Sequence, residues 1–307
     1  EEYWSISSIF LKSNDEMFPA RLNVLNSKKL AKMDISNEEN ADLALNQIKK
    51  SKFTITKIET KRVKRNPLAP FTTSTLQQEA SNKLGFGASR TMRIAQKLYE
   101  GINIGTETTG LITYMRTDGV QLSSQSIEEV RSEIINRHDK SYVPEIPRVY
   151  KSKAANAQEA HEAIRPTDIQ RDPESISNYL DSEQLKLYNL IWKRTISSQM
   201  QSAELDETSA DISTNDGSIK FRANGSQVHF PGFFVYKDKE DDKILPNLID
   251  GEALELNKVD SDQHFTQPPP RYTDASLIKK MEELGIGRPS TYACLLYTSP
   301  SPRDLTA

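Results

Sequence analysis

The sequence predicts a multi-domain α and β protein, with a β-rich domain built from two chain segments, a mainly helical domain inserted between them, and the start of a further helical domain. Three observations predict it. The chain has 307 residues, enough for two or three domains of roughly 100 to 200 residues each. Strand-like patterns gather in residues 1–65 and 201–268, and helix signals crowd residues 66–200 between them. The triple proline Pro268-Pro269-Pro270 then breaks the chain before helical periodicity restarts at 269–293.

Taken in order, Ser36 and Glu39 form a capping-box pattern ahead of Ala41, Leu45 and Ile48, which predicts a short amphipathic helix. The β-branched run 53–63 predicts a strand. Pro67 and Pro70 punctuate a boundary, after which Ser74 and Gln77 form a second capping box and Leu76, Ala80 and Leu84 line one face up to Gly85. A helix is expected over 89–99, stopping at Gly101. Another is capped by Ser126 with Glu129, and a longer one spans 181–200 with Leu185, Tyr188 and Trp192 inward. Ile219, Phe221 and Ala223 alternate, Asn224-Gly225 reads as a hairpin turn, and Val228 and Phe230 alternate again. A helix with Leu277, Met281 and Leu284 on one face covers 273–284 and ends at Gly285.

Composition narrows the class. No apolar run approaches the roughly 20 residues that cross a bilayer, and mean hydropathy is -0.63. The single cysteine, Cys294, excludes an internal disulfide framework, so a reducing cytosol is expected. A start at Glu1-Glu2-Tyr3-Trp4, without Met, suggests a fragment. Residues 294–304 resemble a translated sequencing adaptor, so 294–307 is read as an adaptor-derived tail, set aside from fold reasoning, with the natural part expected to stop near Ala293. Net charge is only -3, but its distribution is uneven. Residues 61–99 hold eight basic side chains against one acidic, including Arg90 and Arg93, whereas residues 237–262 hold four against nine. The first stretch suits a polyanion and the second does not, although a solvated face reads the same way.

Leu111-Ile112-Thr113-Tyr114-Met115-Arg116-Thr117-Asp118-Gly119 carries the most chemistry. In an extended segment, Tyr114 and Arg116 share a face. A phenol is a poor nucleophile at neutral pH, and a guanidinium beside it both favours the phenolate and clamps a phosphate diester. Taken alone, the pattern also fits a tyrosine that is merely buried and hydrogen-bonded. In Gln158-Glu159-Ala160-His161-Glu162-Ala163-Ile164-Arg165-Pro166, a helix over 157–165 would set His161 and Arg165 one turn apart, ready to meet a phosphate or simply to complement the helix dipole. The second histidine of a zinc-protease motif is missing, and Asp260-Ser261-Asp262 reads as loop, so no metal is expected on this chain.

Together with Pro70-Phe71-Thr72-Thr73-Ser74-Thr75-Leu76-Gln77-Gln78, Leu84-Gly85-Phe86-Gly87, and Arg271 through Gly285-Ile286-Gly287-Arg288-Pro289-Ser290-Thr291-Tyr292-Ala293, these segments resemble, in order, the motifs of the bacterial DNA topoisomerase I family, of type IA. The resemblance covers residues 1–293. It implies that Tyr114 attacks one DNA strand to form a 5′-phosphotyrosyl link, that Arg116 clamps the scissile phosphate, and that His161 and Arg165 contact phosphate. Arg271, Arg288, Ser290 and Thr291 match its DNA-facing final motifs. It further implies that residues 1–65 and 201–268 form an arch, that the partner is single-stranded or underwound DNA, that the protein is a monomer at the bacterial nucleoid, and that no ATP is needed. Mg²⁺ is expected in a Toprim domain outside this chain, which leaves the chain inactive alone. Gly119 stands where many members have serine. The alternatives are a non-catalytic single-strand-binding module using Phe71, Phe86 and Tyr99 as stacking surfaces, or another type IA member such as topoisomerase III.

Overall fold

The computed structural model describes residues 1–105, 107–151, 161–237 and 242–296. In chain order the elements are β1 (Glu2–Leu11), β2 (Met17–Leu25), β3 (Lys28–Lys29), α1 (Glu38–Lys49), β4 (Phe53–Arg65), α2 (Thr73–Leu84) and α3 (Ala88–Glu100). The short pair β5 (Ile102–Asn103) and β6 (Thr108–Thr109) follows, then α4 (Ser124–Arg137) and α5 (Ser182–Ser198). The chain continues through β7 (Ala203–Ser213), β8 (Lys220–Phe230), β9 (Ala253–Phe265), α6 (Asp274–Glu283) and α7 (Tyr292–Leu295). Two compact units result. One gathers Glu1–Arg65, Ala203–Pro231 and Asp238–Pro270; the other gathers Asn66–Ser202, Gly232–Lys237 and Arg271–Ala307.

The first unit is an antiparallel sheet in the order β1-β9-β4-β7-β8-β2-β3, and an additional β1–β2 pairing closes its longer strands into a ring. Alternate side chains point inward, so Ile6, Ser8 and Phe10 of β1 are buried between half-buried neighbours. Phe10 meets Phe53 and Phe221 edge-on at 5.3 and 5.4 Å, and Phe53 meets Phe221 at 5.6 Å. These aromatic pairs fill the centre of the unit, with ring edges turned to ring faces. Asn224-Gly225 is no turn: both residues lie inside β8, opposite Ser209 and Thr208 of β7. The hairpin turns earlier, at Asn215-Asp216-Gly217, where Gly217 takes a φ of 70°. There the Asp216 carboxylate accepts from Thr214 Oγ1 and from the Ser218 N–H and hydroxyl, which holds its pKa down at about 2. Gly225 is needed for space instead, because a Cβ there would stand 2.8 Å from both Leu245 and the Lys243 carbonyl. Asp260 and Asp262 lie in β9 rather than in a loop, paired with Ser7 and Ser5.

The second unit is helical, with Leu76, Leu98, Leu111, Ile112, Met115, Tyr188, Ile191 and Ile196 in its core. Two of its helices, α2 and α4, start two or three residues before the expected caps. Thr72, not Ser74, caps α2 in a reciprocal pair with Thr75, and Ser123 rather than Ser126 caps α4. In the first unit Asn37, not Ser36, caps α1. In each case a short oxygen-bearing side chain reaches an N–H three residues on, and runs rich in Ser, Thr and Asn offer several such registers. Asp181 caps α5 and Thr273 caps α6. Residues 161–165 are not helical; Ile164 pairs in a β-bridge with Phe71, and residues 157–160 lie outside the described ones. Cys294 and Leu295 belong to the last turn of helix, α7.

Candidate active site

Burial separates the tyrosines. Tyr150 and Tyr236 are desolvated, which pushes each up to about 12, and burial likewise raises Tyr188 and Tyr292. Such phenols keep their protons near neutral pH. Tyr114 is 41% exposed. It stands between buried Ile112 and Met115 on a segment fixed from two sides. On one side, Thr73 at the start of α2 donates its hydroxyl to the Met115 carbonyl at 2.7 Å and accepts from the Thr117 N–H at 2.9 Å, while Thr73 N–H reaches the Thr117 carbonyl at 2.9 Å. On the other, Thr113 Oγ1 donates to the Ala163 carbonyl at 2.7 Å, Thr113 N–H reaches the Arg165 carbonyl, and Ile112 bridges to Pro166. Met115 is the inward anchor of this irregular segment, and the residues beside it, Tyr114 and Arg116, turn outward.

Around the phenol the structure gathers some expected residues and separates others. The His161 ring centre lies 6.1 Å from that of Tyr114, and Tyr99 at the end of α3 meets Tyr114 edge-on at 5.4 Å. Arg116 donates from Nη1 to the Ser290 carbonyl at 3.1 Å. Arg116 and Ser290 also line a cleft of about 540 Å³ with Ser89, Arg93, Gln96 and Lys97 of α3. Arg93, Lys97 and Arg116 line it with three cationic side chains against the single carboxylate of Glu100, and Arg93 has no ion-pair partner among the described residues.

Arg165 stands differently from expectation. Glu162 binds it through two hydrogen bonds of 3.0 Å, and its Nη1 donates to the Pro166 carbonyl at 2.8 Å. Burial works to raise the Glu162 carboxyl, but the Arg165 guanidinium and the Ser123 N–H hold it below its usual range. His161 and Arg165 thus do not share a helix face. Arg90 pairs with Glu183 and lies over the Phe86 ring at 4.6 Å, so its charge is already answered. The basic run on β4 is answered too: Arg62 binds Asp206, Lys64 binds Glu204 and Arg65 binds Glu207, all on β7. The expected basic stretch is therefore smaller in space than in sequence. Arg271 is exposed ahead of α6. Arg288 and Thr291 close a turn on each other, with Thr291 Oγ1 accepting from the Arg288 N–H at 2.8 Å.

The sequence reading did not single out Thr73, Gln96 or Lys97 for this site. Thr73 lies within the 70–78 motif, and α3's periodicity places Arg93, Gln96 and Lys97 on one face, which is the signal that could have found the cleft. Among the described residues no group of three or more His, Cys, Asp or Glu side chains is placed to hold a metal ion. Nor is any helix among the described residues long and apolar enough to cross a membrane.

Comparison with known proteins gives concordant findings. The model of a family described as DNA topoisomerase matches residues 1–299. The chain is 51% identical over 303 residues to DNA topoisomerase 1 of Rickettsia bellii, covering 96% of this chain and 38% of that protein. It is 47% identical over 308 residues to DNA topoisomerase 1 of Zymomonas mobilis, covering 96% of this chain and 24% of that one. The solved structure of full-length topoisomerase I from Thermotoga maritima is similar at a TM-score of 0.80 and 36% identity, over 97% of this chain and 46% of that chain. The chain thus spans less than half the length of each of these relatives.

Proposed function

The chain belongs to the DNA topoisomerase family, and from that membership we propose that it is the tyrosine-bearing part of a type IA enzyme that cuts one strand of underwound DNA, passes a strand and reseals. The observation that carries this reading is Tyr114, an exposed phenol on a backbone fixed from both sides, with Arg116 and His161 beside it. Tyr114 Oη attacks the phosphorus of a phosphodiester. An O–P bond forms to the 5′ phosphate, the bond to the 3′ oxygen breaks, and that oxygen takes a proton as the phenol gives one up. The link conserves the energy of the broken bond, so the reverse attack reseals the strand without ATP.

Arg116 is the clamp. One nitrogen is fixed on the Ser290 carbonyl, which orients the fork so that its remaining N–H groups can meet two phosphate oxygens. Arg93 and Lys97 give the cleft beside it the charge that a single-stranded backbone requires. In this reading the helical unit carries the chemistry and the barrel unit serves as the arch. Mg²⁺, held elsewhere in the full-length protein, would supply charge neutralisation at the phosphate.

The test uses the full-length enzyme. Tyr114→Phe keeps the ring and removes the hydroxyl, so folding and single-strand binding persist while denaturing electrophoresis loses the 5′-linked adduct. Arg116→Lys keeps the charge but loses the planar fork, and slows cleavage by about 10²- to 10³-fold. An adduct that persists in Tyr114→Phe would mean that another residue attacks. Binding with no adduct from the unaltered protein would leave only a single-strand-binding module.

A further inference from the structure

We propose that Gly119 is a positioning residue, whose missing side chain lets the His161 backbone seat against the Tyr114 segment and so sets the imidazole beside the phenol. This inference rests on the reading of Tyr114 as nucleophile. The need for glycine here is one of space, because Gly119 is not among the glycines with positive φ. A Cβ built on Gly119 would stand 2.0 Å from the His161 carbonyl oxygen, 3.1 Å from its carbon and 3.2 Å from Thr117 Oγ1. The obstructing atoms of His161 are backbone, which no side-chain rotation can clear.

One side of that contact cannot give way. Gly119 N–H donates to Thr117 Oγ1 at 2.9 Å, and Thr117 is buried and bonded through its own N–H and carbonyl to Thr73 of α2. Just after His161, the Ala163 N–H is held by the Gln121 carbonyl at 2.9 Å, and Glu162 accepts from the Ser123 N–H at 2.6 Å. His161 itself is exposed, and among the described residues its ring makes the tilted 6.1 Å contact with Tyr114. Any side chain at position 119 therefore displaces His161. Its carbonyl must retreat from 2.0 Å toward the 3.4 Å of ordinary contact, taking the imidazole with it. A misplacement of about 1 Å in a reacting assembly costs on the order of 10²-fold in rate.

Two measurements test the proposal. In this chain, nuclear Overhauser contacts between the Tyr114 and His161 rings, and the imidazole's ring-current shift on Tyr114→Leu, report the pairing directly. Both are expected in the unaltered chain, and the contacts are expected to vanish in Gly119→Ala while the thermal midpoint moves little. In the full-length enzyme, cleavage is compared in a double-mutant cycle. Gly119→Ala is expected to slow cleavage by about 10- to 100-fold when His161 is present and to have almost no effect in the His161→Ala background. Equal losses in both backgrounds, or ring contacts that survive Gly119→Ala, would overturn the proposal. Should Gly119→Ala not fold, an imidazole signal in the unaltered chain that ignores Tyr114→Leu would overturn it equally. If Tyr114→Phe still cleaves, the nucleophile reading fails, yet the ring contacts still decide the role of Gly119.

Discussion

Arg90 and Arg93 lie three positions apart on α3, and their fates differ because of one partner. Glu183, 93 residues away, takes Arg90, whereas Arg93 lines the cleft with Arg116. Each arginine that meets a backbone phosphate releases counterions, and on single strands this contributes roughly 0.7 to the slope of log affinity against log salt. Arg93→Ala is therefore expected to lower that slope by about 0.7 in a single-strand titration, and Arg90→Ala to change it far less. Equal effects would mean that Arg90 leaves Glu183 for the DNA. Sequence order carried both arginines to attention and could not separate them, because the carboxylate that distinguishes them is distant in the chain. The same holds for β4, where Asp206, Glu204 and Glu207 answer a basic run 140 or more residues earlier. Tyr114, Arg116 and His161 were legible as a set only through the order of the motifs; their contacts depend on bridges from residues 112–113 to 163–166.

At the scale of elements, α2 does more for the site than its helical pattern suggests. Its first residue, Thr73, is wholly buried and satisfies both the Met115 carbonyl and the Thr117 N–H. Thr73→Val keeps the shape but leaves these two buried groups unmet, at about 1 to 3 kcal/mol each. Denaturant unfolding is expected to show a loss of about 2 kcal/mol or more, and cleavage by the full-length enzyme is expected to fall further than stability alone explains, because Met115 anchors Tyr114. Cleavage unchanged in Thr73→Val would show that the segment holds its shape without α2. The helices themselves were legible from periodicity and terminal glycines: 89–99 appears as Ala88–Glu100 and 181–200 as Ser182–Ser198. Their caps were not, since Thr72 to Thr75 offer four hydroxyls in a row and only packing chooses among the registers. The Asn224-Gly225 signal failed for a related reason. A glycine that a neighbouring carbonyl requires looks, in sequence, like one that a turn requires.

At the scale of the whole chain, alternation marks strands but carries no information about their partners. The ring of the barrel closes through β1, which meets β2 close by and β9 some 250 residues later. That long-range pairing also decides the fate of Asp260 and Asp262. On β9 they stand opposite Ser7 and Ser5, and Lys258 binds Asp260 at 2.8 Å. The acidic pair that most resembled a metal motif thus joins no metal-holding group among the described residues. Phosphoryl transfer to a phenol demands neutralisation of the phosphate charge, and Arg116 with the cleft cations supplies only part of it. The chain by itself is therefore expected to retard single-stranded DNA on a gel, yet to leave a negatively supercoiled plasmid unrelaxed and to form no covalent adduct at any Mg²⁺ concentration. Adding the remaining length of the protein should restore both activities, and Tyr114→Phe should abolish them again. Relaxation by the chain alone would place a working metal site within these 307 residues and would overturn the division of labour between Tyr114 and a metal-bearing domain.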